Sequence, residues 1–531
     1  MSADASQSGE QVGSAELVAA LCLATDLGMG FPFEHGLHTT LIATRLADTF
    51  GVDPATASQT YYACLLSHAG CTTDAHVTPE VFGGSLTTNL NPVMYGSGRD
   101  VFFGLLRALP QPDRAASVRA FQTARGLPKM AREQRPHLTA MCEVAGMLAG
   151  GVGLPQSVAG LLAYLTERWD GWGPLHRAKG EEIPLPIRIV HVSVDAAFQR
   201  LLGGVEHAVR LVRGRAGHAF DPEVAACLAD GAEEILALDE HESAWDETLA
   251  REPGPPLMLT GEVLDRALAA MGNFADLISP YLASHSAGVA ELTAAAAQRC
   301  RIDAADTTTL RRAAWVHDLG RVAIGARVWQ KPGPLNADEW EQVRLHPYHT
   351  ERVLSRSPFL SALAPVAGAH HERLDGSGYH RGASGAELTL LARVLAAADA
   401  YHAMTQPRAH RAPIPPERTA DELAREAGAG RLDADAVTAV LEAAGQRAPR
   451  LERPAGLTER EAEVVGMLAR GLQTKQVARA LGISVKTADS HIQHAYRKIG
   501  VSTRAGATLF AMEHGLVASG ELPIVRSATR S

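Results

Sequence analysis

The chain has no apolar run long enough to cross a membrane: stretches such as Leu390 to Ala398 or Val158 to Leu165 are interrupted or fall short of the roughly 20 residues that a hydrocarbon core requires. Its first ten residues, Met1 to Glu10, are polar and acidic rather than basic and then apolar, so no secretory signal is expected and a cytoplasmic protein is. The six cysteines, Cys22, Cys64, Cys71, Cys142, Cys227 and Cys300, form no CxxC pair, which argues against a zinc ribbon or a disulfide framework and for buried thiols. Strand-like alternation is almost absent as well. Instead Ala, Leu, Arg and Glu recur at helical spacing, as in Ser286 to Leu292, so the expected fold class is all-α.

What is there is an ordinary globular composition, 46% hydrophobic and 21% charged over 531 residues, enough for several domains. The net charge of -9 hides an asymmetry: residues 450–531 hold twelve Arg and Lys against seven Asp and Glu, a net of +5, and the remainder carries -14. A basic tail on an acidic body suits a module that touches a polyanion. Two breaks divide the chain: Glu252-Pro253-Gly254-Pro255-Pro256, which no helix tolerates, and the Pro- and Arg-rich stretch Gln446 to Gly456. The expected layout is a first domain over 12–250, a second over 259–445, a linker over 446–455 and a third domain over 456–519.

The first two parts echo each other. Glu167-Arg168-Trp169-Asp170-Gly171-Trp172-Gly173 parallels Glu372-Arg373-Leu374-Asp375-Gly376-Ser377-Gly378, and each precedes an apolar helix. Leu65 to Gly70 stands where the second part has Trp315 to Gly320, and Phe220 to Val224 echoes Leu432 to Ala436. Four echoes in one order predict an internal duplication. The copies differ in chemistry: for His317-Asp318 the first has His68-Ala69, and for His370-His371 it has Leu165-Thr166. A structural or sensory role is therefore expected of the first copy.

The second copy carries His285, His317, Asp318, His346, His370, His371 and Asp399, spread over five predicted helices. Helices packed side by side can bring such groups to one centre, and imidazoles with carboxylates suit a divalent ion. In order and with their flanks, these residues resemble the HD-GYP phosphohydrolases: His285-Ser286, His317-Asp318-Leu319-Gly320, His346-Pro347, His370-His371-Glu372-Arg373-Leu374-Asp375-Gly376-Ser377-Gly378-Tyr379 and Ala398-Asp399-Ala400-Tyr401, over roughly 262–445. The resemblance implies that the seven residues hold two metal ions, iron or manganese, with Asp318 bridging them, and that the substrate is cyclic di-GMP or another phosphoester. Tyr281 lies where some members have a glutamate for a third metal, so two are expected. Asp318 and Arg321 are then the catalytic candidates, and Arg321, Arg408 and Arg411 the expected phosphate contacts. Two positions depart from the family. Arg321 follows the His-Asp run where Lys is usual, and His380 replaces the Pro of Gly-Tyr-Pro, restoring a backbone N–H.

In the third part, Thr458 and Glu461 are spaced as a capping box, and a helix to Ala469 follows. Gly471 breaks it, Thr474 is expected to cap a short helix over Lys475 to Ala480, Gly482 supplies the turn, and Ser484 caps a longer helix from Val485 to about Ile499. Short helix, glycine turn and capped second helix make a helix-turn-helix. The run Leu457-Thr458-Glu459-Arg460-Glu461, Leu481 to Thr487, His491-Ile492 and Arg497 to Val501 resembles the LuxR-type DNA-binding domain, which implies four helices over about 454–518. By that resemblance Asp489, Ser490 and Gln493 face bases, while Lys475, Lys486, Thr487, Lys498 and Arg504 meet the backbone. The helix Arg504 to His514 is the implied dimer element, so a homodimer on DNA is expected. Joined, the parts predict a transcriptional regulator with a metal-dependent phosphohydrolase region. The alternative is a catalytically silent, nucleotide-sensing transcription factor.

Overall fold

The computed structural model describes residues 11–72, 93–108, 116–238, 243–446, 454–513 and 516. Met1 to Glu10, most of the expected linker over 446–455, His514 and residues 517–519 lie outside these. Two compact units are present. The first comprises Met1–Ala283, Leu319–Leu335 and Arg352–Ser361, and the second Ser284–Asp318, Asn336–Glu351 and Ala362–Ser531.

Helices dominate the described residues. The departure from an all-helical reading is a short antiparallel ribbon of Gln11–Gly13 against Met258–Thr260, in which Val12 lies opposite Leu259. Both central side chains are buried and their neighbours turn outward, so three residues on each side suffice to bury one apolar pair. Behind the first strand, Ser14–Met29 is apolar nearly all round and, Glu16 apart, is buried from Ser14 to Asp26, as a central helix must be. It stops at Gly30, whose φ of 71° gives the left-handed cap that frees its N–H for Asp26 and Leu27.

The sequence echoes coincide with recurring local structure. At an offset of 250 residues, His35 and His285 each open a helix behind a left-handed residue, Glu34 and Ser284. Asp53 and Asp303 each cap the next helix, and 3-10 turns begin at Ala69 and Leu319. At an offset of 205, Glu167 and Glu372 are both buried and accept backbone N–H groups, from Arg177 and Arg381 respectively. Arg188 pairs with Asp221 as Arg393 pairs with Asp433, and each aspartate caps a helix. This register corrects one expectation. The helix and turn boundaries place Ser67-His68, not His68-Ala69, opposite His317-Asp318. The same offsets put Leu165-Thr166 opposite His370-His371 and Val194 opposite Asp399. Phe31 and Phe198 pack on His35, with ring centroids 4.7 and 6.2 Å away.

Burial pushes His35 down to about 3 and His191 down to about 4. Both stay neutral when folded, whereas an unfolded chain takes up their protons below about pH 6.5. The stability they contribute is complete above pH 6.5 and is lost as the pH falls toward 3 to 4, at roughly 2 kcal/mol per histidine by pH 5. The first unit is expected to melt several degrees lower at pH 5 than at pH 7.5. His191→Gln, which keeps a donor for the Leu165 carbonyl that Nε2 reaches at 3.0 Å, should show a shallower slope in the same thermal scans.

In the second unit the C-terminal helices are Glu459–Ala469, Thr474–Ala480, Val485–Ile499 and Arg504–Glu513. Thr458 and Glu461 close the capping box, and Ser484 accepts from the N–H of Thr487 at 3.0 Å. The short helix begins one residue earlier than expected. Gln473 is its cap, because its N–H and the Gln476 side chain meet at 2.8 Å and draw Thr474 into the helix. Val464, Leu468, Val477, Ala488 and Ile492 form one small core of these helices, and Leu457, Val465, Ala495 and Ala511 belong to a second.

Candidate functional site

His285 and His346 each open a helix, His285–Arg299 and His346–Leu354. His317 closes Ala304–Val316 with Asp318 beside it, His370 and His371 follow Pro358–Ala367, and Asp399 lies within Leu390–Thr405. All seven belong to the second unit. Six of them are no more than 1% exposed, and His371 is partly buried.

Asp318 stands between two groups of imidazoles. Its Oδ1 lies 3.3 Å from Nε2 of both His346 and His370, while its Oδ2 lies 2.9 Å from Nε2 of His317 and 3.4 Å from that of His285. The ligating atoms form two sets, each within 4.8 Å: His346, His370 and His371, and His285, His317, Asp318 and Asp399. The tautomers decide what this means. Nδ1 of His317, His346 and His370 lies 2.7, 2.6 and 2.6 Å from the carbonyls of Ala314, Val343 and Ala367, so each Nδ1 carries the proton and donates it. Their Nε2 atoms are left with lone pairs. Yet Nε2 of His346 and His370 face each other at 3.0 Å, and both face a carboxylate oxygen. Lone pairs at that range repel unless a cation or a proton lies between them.

The electrostatics agree. Burial alone would lower His317, but Asp318 and Asp399 raise it to about 10, so with no cation beside it its Nε2 would hold a proton, which a divalent ion would displace. Burial holds His370 down at about 4 and His371 well below its usual value, so both remain neutral and able to ligate. Asp399 is buried too, but the imidazoles of His285 and His317 keep it well below the usual carboxylate range. Buried carboxylates, neutral imidazoles and opposed lone pairs fit divalent cations. His402, not singled out from the sequence, places its Nδ1 3.0 Å from Nδ1 of His285. The signal was its spacing: three residues past Asp399, it shares that residue's helix face.

The loop after the paired histidines is packed onto them. Tyr379 stacks on His371 at 4.7 Å between centroids, and Arg344 lies 5.7 Å from the Tyr379 ring. Glu372 accepts from the N–H groups of Arg381 and Ala383, at 2.8 and 3.0 Å. His380, which stands where the HD-GYP pattern has proline, sits 3.6 Å from Glu351, which also pairs with Arg381. The expected phosphate contacts fare differently. Arg411 donates to the carbonyls of Met404, Gln406, Ala412 and Ala403, so its guanidinium finishes the helix Leu390–Thr405. Arg408 shares a backbone bridge with it. Arg321 is buried with its guanidinium 5.4 Å from the Trp329 ring.

Residues 270–436 match the HD domain family, and residues 455–511 match the bacterial regulatory proteins of the luxR family. The chain is 30% identical over 409 residues to the 3'3'-cGAMP-specific phosphodiesterase 3 of Vibrio cholerae, across 75% of this chain and 88% of that one. It belongs to the HD-GYP phosphodiesterases. A cyclic di-GMP phosphodiesterase of Thermotoga maritima is 35% identical over 150 residues, 28% of this chain and 40% of the relative. A crystal structure of a cyclic GMP-AMP specific phosphodiesterase from V. cholerae superposes with a TM-score of 0.56 at 25% identity, over 82% of this chain and 98% of that one.

This HD-GYP phosphodiesterase therefore ends in a LuxR-type helix-turn-helix, a feature of DNA-binding regulators. Around its second helix, Lys475, Lys486, Thr487, Asp489, Ser490 and Gln493 are all exposed. So is Val485, at 47%, an apolar residue at the start of that helix. Two expected backbone contacts have partners inside the domain. Lys498 donates to Glu461 at 2.6 Å and to the Gly456 carbonyl at 2.9 Å, and Arg504 donates to the Leu468 carbonyl at 2.6 and 3.0 Å.

Proposed function

We propose that this phosphodiesterase opens a guanine-containing cyclic dinucleotide, 3'3'-cGAMP or cyclic di-GMP, at the His/Asp centre of residues 259–445, and that its C-terminal domain over 456–519 acts on transcription. The observation that carries the reading is Asp318, whose two oxygens face separate imidazole groups. We assign His346, His370 and His371 to one divalent ion and His285, His317 and Asp399 to another, with Asp318 shared and iron or manganese the expected metal. Such a pair, when bound, activates water and neutralises phosphate oxygens against which an anionic nucleophile would otherwise be repelled. The chain's own residues do the rest. Buried helix ends hold the ligands with their lone pairs inward, Arg321 and Arg408 supply positive charge for the non-bridging oxygens, and Arg411 shapes the loop that presents Arg408. Residues 12–250 are read as a first copy of the same unit whose ligand positions have been replaced, leaving it a structural or sensory partner.

The test is turnover by the full-length protein, loaded anaerobically with iron or manganese, on 3'3'-cGAMP, cyclic di-GMP and a linear dinucleotide. Linear or mononucleotide product from a cyclic substrate is expected. Tight binding of those nucleotides without product, in protein carrying its metals, would instead favour a silent sensor.

The DNA-binding half makes its own prediction. Lys486→Ala should weaken binding to any duplex and lower the slope of log affinity against log salt by about 1, as loss of one phosphate contact does. Lys498→Ala should act mainly on the domain's melting temperature, because its partners are Glu461 and Gly456. Binding is expected to be dimeric, through Arg504–Glu513.

A further inference from the structure

We propose that His402 is the positioning residue for His285, accepting the proton of His285 Nδ1 on its own Nδ1 and so aiming His285 Nε2 into the metal centre. This rests on the two-ion reading above. Four imidazoles face Asp318, and three of them are oriented alike: His317, His346 and His370 each have Nδ1 on the carbonyl three residues earlier in the chain. At His285 the group that meets Nδ1 is a side chain. His285 opens its helix behind Ser284, which is left-handed at φ 62°.

The partner comes from another helix. His402 Nδ1 lies 3.0 Å from His285 Nδ1, with the ring centroids 5.0 Å apart. Only one arrangement of that pair leaves His285 Nε2 a lone pair for a metal: His285 donates, His402 accepts, and the His402 proton sits on Nε2. The fold makes room for this ring. Gly288, one turn after His285, lies so close that a Cβ there would come within 2.0 Å of His402 Nε2 and 2.6 Å of its Cδ2. The glycine and the histidine therefore form one device, and His285, unlike its three neighbours, is oriented by a side chain that substitution can remove.

The experiment measures metal content per chain by mass spectrometry, and metal affinity by chelator competition, in full-length wild type, His402→Ala, His402→Asn, Gly288→Ala and His285→Ala, with melting temperatures of the metal-free proteins alongside. Two ions in the wild type are expected. His402→Ala should lose roughly 10- to 100-fold in affinity for one of them, the usual effect of removing such a hydrogen-bond partner. Gly288→Ala should reproduce the loss by displacing the ring, and His402→Asn, which keeps an acceptor near the Nδ1 position, should recover most of it at an unchanged melting temperature. Wild-type affinity in both His402→Ala and Gly288→Ala, beside a loss in His285→Ala, would overturn the proposal and leave the two-ion reading standing. A wild type that takes up no divalent metal would overturn both.

Discussion

Asp318→Ala is expected to release both divalent ions and to lower turnover of the cyclic dinucleotide on the order of 10³-fold or more. The carboxylate is fully buried and its two oxygens serve four imidazoles at 2.9 to 3.4 Å, nearer than Asp399 comes to the other set, where its Oδ2 lies 3.6 Å from His371. Without it, Asp399 is the one carboxylate left among five histidines in the two sets. A bound metal pair contributes several kcal/mol of charge stabilisation in phosphoryl chemistry, and each 1.36 kcal/mol is tenfold in rate. Asp318→Asn keeps the volume but offers a neutral oxygen and should fall between the two. Metal analysis with initial rates decides the matter, and two ions retained by Asp318→Ala would refute the assignment.

Gly378→Ala is the second large effect, and it comes from packing rather than charge. A Cβ at this position would lie 2.5 Å from Glu372 Cα, 2.6 Å from Arg373 N and 2.6 Å from the His371 carbonyl oxygen. These are backbone atoms and cannot swing aside, so the loop must shift and carry His371 and its Tyr379 stack with it. We expect a stability loss of about 1 to 3 kcal/mol, typical of overpacking, together with weaker metal binding at His346, His370 and His371. Two controls separate site from scaffold. Gly376→Ala meets only ordinary neighbours at 3.4 Å or more, and its cost comes from its φ of 76°; it should lower the melting temperature by less and spare the metal. Gly173→Ala would collide with Glu167 and Arg168 in the same way as Gly378→Ala, but in the first unit, and should destabilise that unit without touching metal content. Equal metal loss in the Gly376 and Gly378 variants would show that general loop strain, not the position of His371, is responsible.

Much of this could be read from residue order. The helical caps are local chemistry: Thr458 with Glu461, and Ser484 with Thr487, are set by side chains three residues apart, and the helices begin where those pairs put them. The seven His and Asp residues were legible as a set because each lies in a flank that resembles the HD-GYP pattern. Gln473 was missed as a cap because Thr474 is the stronger capping residue by type, and only the Gln473–Gln476 pairing tips the balance. The ribbon at Gln11–Gly13 was invisible because its partner lies near residue 258, and a three-residue strand carries too little alternation to register.

The sequence by itself determined the helical class, the His/Asp set as a candidate centre and the helix-turn-helix, because these follow from periodicity, capping and ordered motifs that short stretches of chain contain. Tertiary structure alone decided which atoms meet. That Asp318 offers one oxygen to each imidazole group, that Arg411, Lys498 and Arg504 serve carbonyls or a carboxylate inside their own domain, and that His285 leans on His402 over Gly288 all depend on helices distant in sequence being packed side by side. A long cationic side chain is equally compatible with phosphate and with a helix end, and an imidazole can be protonated on either nitrogen. In each case the geometry of the neighbouring atom selects the role, and that neighbour is supplied by the fold.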